Sequence, residues 1–190
     1  IVTIPQVTDR HFIADFQSWK SRLKKETENG NLRSRLDPTT ENMESAIEKL
    51  LLTNKAAGQG WVDQVRAAHR VGSLDSVLKA KIAFVAAYED HAWDMQEYAL
   101  RQLAANDVDL ESAYALRSNV ANPSHTDSTT AALNFVVKLT SQPQNMTDRD
   151  IATLEPHFNS HEIAEIVYHT GLAAMLNRLT LVANIALQTL

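Results

Sequence analysis

Cysteine is absent from the 190 residues of this chain. That excludes disulfides, thiolate metal sites and every mechanism built on a dithiol or a cysteine nucleophile. Glycine and proline are scarce, five of each. A phosphate-binding glycine loop or a dinucleotide fingerprint is therefore not expected, and long uninterrupted helices are. No Ser-His-Asp order is found. No apolar run reaches the roughly 20 residues of a membrane span. The most apolar stretch, Gly171 to Leu190, is interrupted by Asn177, Arg178, Asn184 and Gln188, so it reads as a buried or oligomer-forming helix. Positive charge is not in excess: 18 Lys and Arg stand against 23 Asp and Glu, for a net charge of −5. This argues against a nucleic-acid partner. The short run Lys20, Arg22, Lys24 and Lys25 is expected to be a solvated helix face. No signal-peptide pattern opens the chain, and because its first residue is Ile1 rather than Met, a removed upstream segment is expected. The sequon Asn145-Met146-Thr147 is of a kind common by chance.

What is present is apolar and helical. Hydrophobic residues make up 44%, enough for a sizeable core in one domain, or in one domain with an N-terminal extension. A first helix is signalled by Thr8-Asp9 as cap, by Phe12, Phe16, Trp19 and Leu23, and by the stop at Asn29-Gly30. A second starts at Asp37-Pro38, carries Met43, Ile47, Leu50 and Leu51, and is expected to end at Gly58 and Gly60. A shorter amphipathic piece runs from Trp61 to about Val71. Ser73 is the expected cap of a strong helix with Leu74, Val77, Leu78, Ile82 and Val85 on one face. Its Ala80, Ala83, Ala86 and Ala87 admit close neighbours. The pattern continues through Trp93 to Leu103, with the polar cluster Glu89-Asp90-His91 as a candidate break. A short helix over Leu110 to Arg117, a polar loop from Ser118 to Asp127 and a helix over Ser128 to Thr140 follow. Two capping boxes, Thr147 with Asp150 and Asn159 with Glu162, open a short helix and the long final one. The fold class is all-α.

Three segments together resemble the alkylhydroperoxidase-D / carboxymuconolactone-decarboxylase superfamily. They are SLDSVLKAKIAFVAAYEDHAWDMQEYAL, TAALNFVVKLTSQPQNMTDRDIATL and FNSHEIAEIVYHTGLAAMLNRLTLVA, the last with its Asn177-Arg178 pair. The resemblance covers about residues 73–190 and implies a helical bundle that assembles as a homo-oligomer, with residues 1–72 as an N-terminal helical extension. The redox members carry C-x-x-C-x-x-x-H at a helix start, with a glutamate about three turns earlier. Alignment on Ala86-Ala87 and Ala99 puts Tyr88 and His91 at the cysteine positions, Met95 at the histidine and Ser76 at the glutamate. Thiol–disulfide exchange needs a thiolate, so the peroxidase mechanism is excluded. The decarboxylase branch works instead by proton transfer through Glu and His in a Y-E-W-x-x-H pattern. Tyr88-Glu89-Asp90-His91-Ala92-Trp93-Asp94 keeps those residue types with a different spacing.

On a continuous helix, His91 would share a face with Asp94 and with Tyr88. A carboxylate from Glu89 or Asp94 would orient the imidazole as general base or acid, and Tyr88 would donate to a developing enolate or carboxylate. Trp93 is a candidate wall for an apolar ligand. Arg178, expected to be buried, either pairs structurally with an acid such as Glu89 or Asp94, the favoured reading, or takes a substrate carboxylate. The expectation is a cofactor-independent lyase (decarboxylase) or isomerase acting on a small organic acid or lactone, with no metal and no membrane partner. The rival is a non-catalytic binding or structural oligomer. A third reading gathers His161, Glu165 and His169, spaced by four on the final helix with His157 one step before them, as part of a metal shell.

Overall fold

The computed structural model describes residues 47–49, 51–52, 54–109, 112–113, 116 and 125–183. The chain divides into two compact units, Ile1–Thr40 and Glu41–Leu190, and every described residue belongs to the second. The helices expected before residue 47, the Lys20–Lys25 run and most of the stretch from 110 to 124 lie outside the described residues.

Six α-helices are delimited among the described residues: α1 (Gly58–Arg70), α2 (Ser76–Glu89), α3 (Trp93–Ala105), α4 (Asp127–Ser141), α5 (Asp148–Ala152) and α6 (Ser160–Ala183). A 3₁₀ turn, Pro143–Asn145, joins α4 to α5. There is no strand among the described residues, and no described helix is long and apolar enough to cross a membrane. The all-α expectation is met.

α2 is the centre of the bundle and packs against α3, α4 and α6. Ile82, Phe84, Val85, Ala86 and Ala87 are almost wholly buried, so this helix is covered all round rather than along one stripe, and its alanines let neighbouring backbones approach. Residues N-terminal to it join the same core: Ile47, Leu51 and Val62 cluster with Ala87, Met95, Tyr98 and Leu176.

The helix starts follow local hydrogen-bonding chemistry, with two corrections. Gly58 begins α1 instead of ending the helix before it: the Asn54 side chain accepts the Ala56 and Ala57 N–H groups, and its carbonyl accepts that of Gly58. The cap of α2 is Asp75 rather than Ser73: its carboxylate accepts the Leu78 N–H. Both expected capping boxes are present. Asp150 accepts from the Thr147 N–H, and Glu162 from that of Asn159. Lys138 on α4 also reaches Asp150 at 2.6 Å. This charge-assisted bond, with the two from Thr147, holds the Asp150 carboxyl down at about 2.

Two clasps fix α6 along α2. At one end Glu165 accepts the backbone N–H groups of Ser73 (2.5 Å) and Leu74 (3.0 Å). At the other the Asn177 amide donates to Asp90 at 3.0 Å. The two helices therefore run parallel. Ser76 at the start of α2 bonds Asn106 beyond the end of α3, so α2 and α3 form an antiparallel hairpin. Gly72 makes the first clasp possible. Its φ is +124°, and a Cβ there would collide with the Glu165 carboxylate. Gly72→Ala is expected to cost about 1–3 kcal/mol, measured by urea denaturation. A loss below a few tenths would show that the loop relaxes without strain.

Candidate functional site

The segment singled out from sequence is a helix break. Tyr88 and Glu89 end α2, and Asp90 is its C-cap, with its N–H bonded back to the Ala86 carbonyl. His91 has φ 57°, a left-handed conformation uncommon for a non-glycine residue. Ala92 is the N-cap of α3, and its N–H reaches the Ala87 carbonyl at 2.8 Å. The buried Gln96 amide donates to that same carbonyl. The break offered by Glu89-Asp90-His91 is therefore present, and the shared face expected of Tyr88, His91 and Asp94 is corrected: they do not lie on one helix. His91 is exposed, its ring stacked beside Trp93 with centroids 6.4 Å apart. Burial raises the Glu89 pKa; the nearby His91 lowers it and the charge of Asp90 raises it, and the net shift is upward.

The Asn177-Arg178 pair meets this break, with a different acid and a different burial from those expected. The partner is Asp90 rather than Glu89 or Asp94. Asn177 is the wholly buried member, while Arg178 is exposed, donating to the Ala174 carbonyl and, at 3.4 Å, to Asp90.

Side chains converge on a cleft elsewhere. It lies between α2, α3 and α6 and is open to solvent. Because α2 runs parallel to α6 and antiparallel to α3, its ends differ. Ser76 and Lys79 from α2, Gln102 from α3 and His169 from α6 line one end. Ala83, Met95 and Leu176 line the other, with Tyr98 also in the wall. Lys79, Tyr98 and His169 are each more than nine-tenths buried. An apolar concavity with a few convergent polar groups is the usual form of a small-molecule site. A second hollow shares Tyr98 and Leu176 and is rimmed by Arg66 and Arg70. Arg66 is paired with Glu48 through two hydrogen bonds of 2.6 and 2.8 Å.

The fold is shared with a debrominase. The solved structure of the debrominase Bmp8, carrying a cysteine-to-alanine substitution and bound to 2,3,4-tribromopyrrole, superposes with a TM-score of 0.66 at 14% identity. The match covers 80% of this chain and 87% of that one. Bmp8 has a helical fold of the alkylhydroperoxidase-D / carboxymuconolactone-decarboxylase type. No family model matches the chain, and no curated protein matches it in sequence.

Ala80, Met95 and Ala99 also line the cleft, so part of its wall is small or apolar. None of Tyr88, Glu89, His91, Trp93, Asp94 or Arg178 lines either hollow.

The final-helix set is divided as well. His161 is exposed, Glu165 is spent on the backbone of Ser73 and Leu74, and His169 is turned into the cleft. Among the described residues no three His, Asp or Glu side chains form a group that could hold a metal ion. Burial raises the Glu165 pKa, but the N–H donors of Ser73 and Leu74, with the charges of Lys79 and His169, outweigh it and hold the carboxyl below its ordinary value. Sequence reasoning missed Lys79, Tyr98 and Gln102. The VLKAKIAF run carries two lysines, Lys79 and Lys81, of which only Lys79 is buried, so its pattern does not by itself pick out the cleft residue.

Proposed function

We propose that this chain is a cysteine-free member of the alkylhydroperoxidase-D / carboxymuconolactone-decarboxylase superfamily. On this reading it is a cofactor-independent acid–base enzyme, a lyase or isomerase acting on a small organic acid or lactone in the α2/α3/α6 cleft. The observation that carries the reading is His169, an imidazole only 7% exposed at the polar end of an apolar cleft. The active imidazole is assigned to His169 rather than His91, because a proton-transfer base gains from water-excluded surroundings and His91 is exposed. In the proposed step His169 takes a proton from the carbon next to a carbonyl, and the Tyr98 hydroxyl donates to the oxygen on which charge develops. Glu165, one turn earlier on α6, interacts with the charge His169 then carries. That Bmp8 is solved with a small halogenated ring supports a ligand of similar size.

A second reading rests on Ala80, Met95 and Ala99. With small or apolar side chains such as these along its wall, the cleft is a binding site without chemistry. One experiment separates the two. A panel of small organic acids, lactones and 2,3,4-tribromopyrrole is screened by thermal shift, and each binder is followed in D₂O by NMR for exchange at the carbon next to its carbonyl. Exchange by the parent protein, slowed about 10²–10⁴-fold in His169→Ala, is the expected result. Binding without exchange selects the non-catalytic reading, and equal exchange in both proteins removes His169 from the mechanism.

A further inference from the structure

We propose that Lys79 is a carboxylate anchor and that the cleft takes short organic acids carrying an apolar body. The proposal rests on the reading of the cleft as the ligand site and names the chemical class of what it binds.

Lys79 is 8% exposed, although an ammonium buried among apolar groups is costly unless its hydrogen bonds and charge are matched. It has three donors. Its one hydrogen bond among the described residues is to the Val71 carbonyl at 2.8 Å, and it forms no ion pair there. Glu165 acts on it through space, but the two carboxylate oxygens of Glu165 accept from the Ser73 and Leu74 N–H groups. A charged group with donors to spare thus borders the polar end of a cleft whose other end is hydrocarbon. An anion in the cleft would meet those donors, and a carboxylate is the anion of the substrate class proposed above.

The geometry also limits the length of the occupant. From Ser76 to Ala83 the wall of α2 rises about 10 Å. The far end is lined by Ala83, Met95 and Leu176. An acid of roughly six to nine carbons, with its carboxylate at Lys79, fills that length, whereas an acid with charges at both ends places one of them against methionine and leucine.

Matched acid and amide pairs test this directly: hexanoate against hexanamide, and cinnamate against cinnamamide, by isothermal titration calorimetry. The parent protein is expected to bind each acid roughly 10- to 100-fold more tightly than its amide. Lys79→Gln keeps a donor for the Val71 carbonyl while removing the charge. It is expected to reduce acid affinity to that of the amide and leave the amide unchanged, and Lys79→Arg is expected to retain part of the preference. Equal binding of acid and amide by the parent overturns the anchor whether or not any variant folds. A Lys79→Gln protein that keeps the preference overturns it too. Ala83→Trp, which fills the cleft, separates the two levels of the proposal. Amide and acid binding both lost in Ala83→Trp, with no acid preference in the parent, rejects Lys79 alone. Acid binding that survives Ala83→Trp, or no binding of any pair, rejects the cleft itself.

Discussion

Asn177→Asp is expected to destabilise the protein by about 3–5 kcal/mol at neutral pH, the range for an uncompensated buried charge. Asn177 is wholly buried, its amide nitrogen lies 3.0 Å from an Asp90 oxygen, and its own Oδ1 is buried without a hydrogen-bond partner. A carboxylate in that place faces another carboxylate at contact distance, and the two must share a proton to coexist. Arg178 offers partial relief only, at 3.4 Å and from a side chain that is 59% exposed. The introduced group has a folded-state pKa raised above its unfolded value. The penalty is therefore small below the unfolded pKa, near 4 for aspartate, and complete once the pH has risen past the folded value. Urea denaturation at pH 4.5 and pH 7 checks this. A gap between variant and parent that is the same at both pH values would contradict the shared-proton account.

Glu165→Ala is expected to act on the opposite end of α6 with the opposite pH slope. It removes the acceptor for two backbone N–H groups and leaves the turn before α2 without its clasp. Hydrogen bonds to charged groups are worth about 1.5–3 kcal/mol each, and exposure to water weakens them. The total loss is therefore expected near 2–3 kcal/mol, or about 4–10 °C in melting temperature for a chain of this size. The Glu165 pKa is lowered by folding, so its contribution is fully present above the ordinary glutamate value of 4.5 and fades as pH falls through the folded value. The variant should lose that part of the parent's acid sensitivity. Parallel stability curves for parent and variant between pH 3 and 6 would show that the clasp carries no charge-dependent stability.

The two clasps also explain why the helices were legible from the sequence and the site was not. Helix starts depend on groups three or four residues apart, so Thr147 with Asp150 and Asn159 with Glu162 read directly as caps. The polar run Glu89-Asp90-His91 marked the α2–α3 break for the same reason. Where a distant residue competes, local reading fails. Ser73 looks like a cap, but it is drawn into the clasp with Glu165, 92 residues away, and the helix starts at the Asp75 cap. Arg178 looked like a buried cation on an apolar helix. One position decides otherwise: Asn177 turns inward to Asp90 and Arg178 outward to solvent.

Composition and periodicity by themselves determined that the described residues are helical, that cysteine chemistry is excluded, and that Leu74, Leu78, Ile82 and Val85 enter the core, because each depends on residue type and near-neighbour spacing. The convergence of Lys79, Tyr98 and His169 on one cleft, and the separation of His91 from it, were decided only when α6 was laid parallel to α2. That arrangement rests on hydrogen bonds between residues about 90 positions apart, and no short-range pattern encodes such a distance.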